Sequence, residues 1–214
     1  MTAMRRVLVV AAAAVLLSAG CGEEQAAAPL RYYISSPQEV MAVRRIVFIA
    51  LEHNEHYPRI AGNMTESLYQ SLQRKDLFHV ELVQRTDPVC EGLPISLDGG
   101  FTMNELAEIR QRLKCDAVLF GKITHFQQYP VMKIGLYLQL VDLRKGKAIW
   151  SIDHTWDSTN KDAEASLKRY FQKELRGAYA PVNWEMAIMS PLLYQKYVAW
   201  EATETLPDPH GAKP

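Results

Sequence analysis

Residues 132–157 read MKIGLYLQLVDLRKGKAIWSIDHTWD. Met132, Ile134, Leu136, Leu138 and Leu140 recur at every second position, with Lys133, Gly135, Tyr137 and Gln139 between them. A period of two is that of a strand with one buried face, and one apolar face with one solvated face is the mark of antiparallel pairing. Leu143-Arg144-Lys145-Gly146-Lys147 supplies a turn with glycine where a positive φ is useful. Ala148–Asp157 returns with Trp150, Ile152 and Trp156 on one face. A hairpin is therefore expected over 132–157.

Toward the amino terminus the pattern changes. Asp116–His125 (DAVLFGKITH) reads as a further strand. Before it, Thr102-Met103-Asn104-Glu105 has the spacing of a capping box and opens a helix carrying Leu106, Ile109 and Leu113 that stops near Lys114. Thr86–Gly100, rich in Pro and Gly, reads as a loop, and Phe78–Val83 as a strand with Phe78, Val80 and Leu82 in alternation. Ile60, Met64, Leu68 and Leu72 make one stripe on a helix over Arg59–Lys75. Arg44–Leu51 (RRIVFIAL) is apolar without alternation, as in a strand buried on both faces. Toward the carboxyl terminus, Leu167, Tyr170, Phe171 and Leu175 suit a helix over Asp162–Arg176. Ser190-Pro191 starts a last helix with serine as N-cap and proline at N1, carrying Leu193, Tyr197 and Trp200.

The order β-α-β-α-β-β-β-α-α describes an α/β (α+β) fold: a mixed β-sheet with helices packed on it and a closing antiparallel hairpin. A chain of 214 residues with 48% apolar and 22% charged residues is ordinary for one globular domain. Lys+Arg and Asp+Glu stand at 24 each, so no basic excess offers itself to nucleic acid.

Residues 1–20 stand apart. Arg5 and Arg6 precede an apolar run, Val7–Leu17, which is too short to span a bilayer, and Ser18-Ala19-Gly20 follows. This is the three-part pattern of an export signal. Leu17-Ser18-Ala19-Gly20-Cys21 resembles the lipobox of bacterial lipoproteins, with Ser18 in the place usually held by leucine. The resemblance implies a lipid on the Cys21 thiol, cleavage before it, and an acyl chain such as palmitate on the new amino terminus. One acyl chain anchors marginally, whereas two or three hold essentially permanently. Gly22 in place of aspartate implies sorting to the outer membrane. Loss of Arg5 and Arg6 leaves 22 basic against 24 acidic residues. Gly22–Leu30 (GEEQAAAPL) has the composition of a flexible tether. The expected organisation is a signal at 1–20, lipidated cysteine and tether at 21–42, one domain at 43–204 and a disordered, proline-rich tail at 205–214.

Four segments carry a second resemblance: Arg45-Ile46-Val47-Phe48-Ile49-Ala50; the helix from Ala61 through Leu72 into Phe78-His79-Val80; Cys115-Asp116-Ala117-Val118-Leu119-Phe120-Gly121-Lys122-Ile123; and Leu138–Lys147 running into Ile149-Trp150. Over roughly residues 43–176 the chain resembles the periplasmic α/β domain of the group containing the amino-terminal domain of TolB, the curli-secretion lipoprotein CsgG and the penicillin-binding-protein activator LpoB. The group implies a fold and an envelope setting. Its members differ in role, because function sits in sites grafted onto a fold.

The candidate chemistry is sparse. Cys90 and Cys115 would meet an oxidising envelope, and a disulfide or two separate thiols both remain open. His53 and His56, flanked by Glu52 and Glu55, lack the spacing of a metal motif, so a solvated loop is expected. Gly99-Gly100 lacks the lysine of a phosphate loop; His125, His154, Asp153 and Asp157 read as ordinary strand residues. No cofactor is expected, and no enzymatic activity. Aromatics gather late in the chain, and Trp184, Tyr194, Tyr197 and Trp200 are the candidates for a partner-binding patch, with 179–189 as its exposed portion. The expected role is protein–protein contact with envelope proteins in assembly or secretion, from a lipid anchor on the periplasmic face of the outer membrane. A homo-oligomer is compatible with it. The alternative is a ligand-binding or sensing lipoprotein whose pocket lies at the carboxyl ends of the strands.

Overall fold

Two β-α-β crossovers meet on the strand Arg45–Ile49, and they set the architecture. The computed structural model describes residues 30–52, 58–93, 101–175 and 184–209. In chain order these contain β1 (Tyr32–Ile34), α1 (Pro37–Met41), β2 (Arg45–Ile49), α2 (Pro58–Lys75), β3 (His79–Val83), α3 (Met103–Leu113), β4 (Ala117–Gln127), β5 (Lys133–Asp142), β6 (Lys147–Asp157), α4 (Lys161–Tyr170), α5 (Trp184–Met189) and α6 (Pro191–Glu204). A single turn of 3-10 helix at Pro88–Cys90 follows β3, and a π-helical turn at Phe171–Leu175 follows α4.

The six strands form one sheet in the order β1-β6-β5-β4-β2-β3. β2 is parallel to both neighbours, while β4, β5, β6 and β1 pair antiparallel. From β2 the chain passes through α2 to β3 on one side, then from β3 through α3 to β4 on the other. Right-handed crossovers in opposite directions put their helices on opposite faces. Side chains of β2 divide accordingly: Ile46 and Phe48 join the core beneath α2, and Val47 and Ile49 join the core beneath α3. This is why RRIVFIAL carries no polar alternation.

The α2 face is also covered by α6 and α4. Met64, Leu68, Leu72, Leu167, Tyr170, Tyr197 and Val198 pack there against Ile134, Leu136, Leu138, Trp150 and Trp156. Across the sheet α3 covers β2 and β4 through Leu106, Ile109 and Leu113, joined by Cys90 and Leu143. The outward residues of β5 and β6 on that side, among them Tyr137, Gln139, Asp153 and Thr155, remain half-buried or exposed.

The expected signals at element ends have their structural counterparts. Thr102 Oγ1 accepts the Glu105 N–H and the Glu105 carboxylate accepts the Thr102 N–H, so both bonds of the capping box form. Ser190 caps α6 with Pro191 following it. Gly146 has φ +65, and a Cβ there would lie 2.9 Å from Leu106 of α3, so this turn needs glycine for its backbone and for its packing. Gly121 allows β5 to close on β4: a Cβ would stand 2.2 Å from the Tyr137 carbonyl oxygen. The Asp116 carboxylate accepts the Arg44 and Arg45 N–H groups, each at 3.1 Å, and ties the starts of β2 and β4 together. Burial works against its ionisation, yet those two N–H groups, together with the charges of Arg144 and Arg110, hold the carboxyl below the ordinary range.

The structure corrects the expected boundaries. Tyr32–Ile34, inside the span assigned to the tether, pairs with β6, and Val40 of α1 is fully buried, so the packed body begins before residue 43. A three-residue strand is too short to show a period. At the other end Leu206 is buried in the core rather than part of a loose tail. The helix expected over 162–176 gives way to the π-helical turn after Tyr170. Residues 1–29, with the signal, Cys21 and the first part of the tether, lie outside the described residues, as do His53, His56, Gly99-Gly100 and 210–214. Among the described residues no helix is long and apolar enough to cross a membrane.

Candidate functional site

Two concavities flank the amino-terminal end of α2. The first arises because β4 outruns the parallel half of the sheet. Only Ala117–Leu119 pair with β2, whereas β4 continues to Gln127 alongside β5. Its end and the following turn stand beside the first turn of α2. Arg59, Ile60, His125, Phe126, Gln127, Gln128 and Tyr129 line a groove of about 670 Å³. Ile60 and Phe126 form its floor, half-buried against the main core. The Gln127 amide donates to the Val131 carbonyl at 3.3 Å and closes the turn, whose Tyr129–Pro130 bond is cis. Tyr129 is 80% exposed. Arg59 gives the lining a cationic group and His125 an imidazole, and among the described residues no carboxylate lines it.

The second concavity lies at the carboxyl ends of β2 and β3. The Leu51 N–H donates to Thr65 Oγ1 at 3.0 Å, and Arg85 Nε donates to the Ala50 carbonyl at 3.0 Å. These bonds fix the strand end against α2 and fix the plane of the guanidinium. Around them Ala50, Leu51, Ala61, Gly62, Thr65 and Arg85, with Glu66, Leu82, Gln84 and Thr86, line a cleft of about 360 Å³. Arg85 Nη2 is buried and has no hydrogen-bond partner.

Two of the four aromatics expected to form a partner-binding patch lie beneath the surface. Tyr194 and Tyr197 are fully buried, because α6 is enclosed by α2, α4 and α5 and buries most of its circumference. Burial pushes both phenols well above their ordinary range, and the nearby carboxylate charges add to it: Asp157 and Glu201 for Tyr194, Glu201 for Tyr197. Tyr197 OH donates to Glu201 at 2.7 Å, Trp156 Nε1 donates to the same carboxylate at 2.6 Å, and Ser166 Oγ donates to its other oxygen. Trp184 and Trp200 are half-buried, each with a lysine over its ring: Lys168 at 4.2 Å and Lys173 at 6.0 Å. The segment expected to be exposed forms α5 over 184–189; its earlier part, 179–183, lies outside the described residues.

Cys90 and Cys115 are free buried thiols, both in the core beneath α3. Desolvation raises each, Cys115 to about 11, so neither is a thiolate near neutral pH. His154 is half-buried with its ring edge-on to Trp156 at 4.9 Å, and burial lowers its pKa. Asp157 is tied to Lys133 at 2.7 Å and to the Thr159 hydroxyl, a structural rather than a paired-carboxylate arrangement. Among the described residues no group of His, Cys, Asp and Glu converges as a metal site. The groove was not foreseen. Its sequence signal is a tyrosine in the polar stretch Gln127-Gln128-Tyr129-Pro130, where a turn should be hydrophilic.

No protein-family model matches the chain, and no curated protein matches it. Solved structures do show a likeness. PelC from Paraburkholderia phytofirmans, described as a dodecamer, is 9% identical over 83% of this chain and 96% of its own, with a TM-score of 0.47. Lipoprotein GNA1162 from Neisseria meningitidis is 19% identical over 61% of this chain and 98% of its own, with a TM-score of 0.41. The carboxyl-terminal domain of LpoB from Salmonella enterica is 19% identical over 53% of this chain and 82% of its own, with a TM-score of 0.35. At these identities and scores the likeness ends at the general fold.

Proposed function

We propose that this chain is a non-enzymatic lipoprotein, held through lipid on Cys21 at the periplasmic face of the outer membrane, that acts by protein–protein contact in envelope assembly or secretion. The leader and lipobox at 5–21 support the anchor. The observation that carries the contact role is the groove with Tyr129 at its rim. An exposed aromatic beside an apolar floor is the composition of an interface hot spot. With Arg59 among the described residues that line it, the groove suits an envelope-protein segment that presents an apolar side chain next to a carboxylate.

Fractionation tests the anchor: Cys21→Ser should move the protein from the membrane to the soluble periplasmic fraction, and a variant that stays membrane-bound defeats it. A photo-crosslinking residue in place of Tyr129 tests the groove. The expected result is an adduct with one envelope protein that disappears when Arg59→Glu is added. An adduct indifferent to Arg59 refutes the assignment, and an adduct with a second copy makes the groove a self-contact instead.

A second reading, a ligand-binding or sensing lipoprotein with its pocket at the strands' carboxyl ends, has a specific observation in its favour: the unpartnered nitrogen of Arg85 beside the cleft there.

A further inference from the structure

We infer that the cleft at the carboxyl ends of β2 and β3 is a binding site for a small monocarboxylate, with Arg85 as the residue that recognises it. The inference gives chemistry to the second reading above and is independent of the lipid anchor and of the Tyr129 groove.

The argument starts from Arg85. A guanidinium has five N–H donors and no acceptor, and leaving a charged donor buried without a partner is costly. Here Nε is used on the Ala50 carbonyl, while Nη2 is out of reach of water and bonded to nothing. The neighbouring carboxylates are engaged elsewhere: Asp87 accepts the Gln84 N–H at 2.8 Å, and Glu66 accepts the Gln70 amide at 2.7 Å. Neither forms a salt bridge to Arg85. An incoming carboxylate oxygen supplies the missing acceptor, and the Nε bond has already oriented the fork that receives it.

The surroundings agree. The cleft is at the carboxyl ends of parallel strands, where open sheets with crossover helices place their ligands. The amino-terminal end of the 18-residue helix α2 is at the same end of the sheet, and no acidic residue occupies its first turn, so its dipole favours an anion there. Its volume of about 360 Å³ lies in the range of small-molecule sites. Ala50, Leu51, Ala61 and Leu82 give the wall an apolar component that suits the carbon end of an organic acid. Glu66, which lines the same cleft, repels a second negative charge, and this selects a monoanion over dianionic phosphate. Gln84 and Thr86, which line the same cleft, are exposed, so the cleft is open to solvent on their side.

The test is saturation-transfer NMR on the methyl protons of acetate with the full-length chain, at ionic strength fixed with chloride. Acetate should bind with a millimolar Kd, and Arg85→Gln should weaken it at least about tenfold. Gly62→Leu provides the second variant. Gly62 is in α2, lines the cleft, and a Cβ there meets nothing within 4 Å. Leucine should raise the melting temperature through its better helix propensity while it fills the cleft and abolishes the acetate signal. A signal retained by both variants, or no signal above the chloride control, overturns the site. Inorganic phosphate competing as well as acetate overturns the assignment to a monocarboxylate. Neither Cys21→Ser nor crosslinking at Tyr129 alters these outcomes, so the failure of either reading can be told from the failure of this one.

Discussion

The two faces of the sheet are closed by different chemistry. Beneath α2, α4 and α6 the core contains several hydrogen-bonded polar groups, beside the Tyr194 hydroxyl and the Gln195 amide, which are buried without a partner. Glu201 receives Trp156, Tyr197 and Ser166, Trp150 Nε1 donates to Thr205 Oγ1 at 2.8 Å, and the hydroxyls of Ser71 and Thr203 meet at 2.7 Å. Beneath α3 the core consists of aliphatic side chains, Phe120 and two thiols. Apolar burial holds a helix against a sheet without fixing its rotation or register. A buried acceptor with three donors on other elements does fix them, because any slip strands several polar groups at once. The α6 face is therefore expected to be rigidly specified and the α3 face more tolerant.

Trp156→Ala should show the largest effect. It removes a fully buried indole and one of the donors to Glu201, a loss of about 3–5 kcal/mol in urea unfolding. Its counterpart across the sheet, Ile109→Val, should cost about 0.5–1.5 kcal/mol. Equal losses would erase the distinction between the faces. Glu201→Gln sharpens it. The side chain keeps its shape but replaces a charged acceptor of the Trp156 and Tyr197 bonds with a neutral one, so a cost of about 1–3 kcal/mol is expected. A variant as stable as the parent would mean that the carboxylate is incidental to how α6 is seated.

The same contrast explains which parts of the molecule were legible in sequence. Strands β5 and β6 announced themselves because one face is buried and the other is not, and period two survives only in that situation. β2 was legible for the opposite reason: buried on both faces, it had no polar position to keep. α3, with a single covered face and a complete capping box, was also plain. The start of α6 was plain from Ser190-Pro191, but its buried face was not, since enclosure by three helices leaves no polar stripe from which to tell inside from outside. Tyr194 and Tyr197 thus looked as eligible for the surface as Trp184 and Trp200. β1 was hidden by its length of three residues. The groove depends on how far β4 extends past β2, and the Arg85 cleft on which neighbours fail to pair with one nitrogen. Both are properties of assembled elements that no single segment encodes.

On the α3 face the thiols provide a pH test. Cys115 in the folded protein ionises near pH 11, against an ordinary value of 9.0, with desolvation as the main cause. The folded state therefore holds its proton at pH values where the unfolded chain has released it. That contribution to stability is complete below about pH 9 and is lost as pH rises through about 11. Urea midpoints measured between pH 8 and 11 should fall more steeply for the parent than for Cys115→Ala. Parallel curves would show that the thiol is less shielded than its burial implies.

The smallest effect concerns how each face's helix begins. On α3 both capping-box bonds form, with the Thr102 N–H only 2.7 Å from the Glu105 carboxylate, and the side-chain hydroxyl also donates to that carboxylate. Those bonds hold the Glu105 carboxyl below its ordinary range. On α6 the Ser190 hydroxyl accepts from the Leu193 N–H at a longer 3.4 Å, and tertiary contacts already secure the helix. Thr102→Ala should therefore cost about 1 kcal/mol and Ser190→Ala less, although both remove a hydroxyl N-cap. Amide exchange should separate them further. Loss of the Thr102 cap should speed exchange along the first turns of α3, because Ala107, Glu108, Arg110 and Gln111 leave its outward side exposed, while α6 should keep its protection when Ser190 is changed. Equal protection losses in the two helices would show that α3 is locked as firmly by its apolar contacts as α6 is by its polar ones, and the difference between the faces would then be one of composition only.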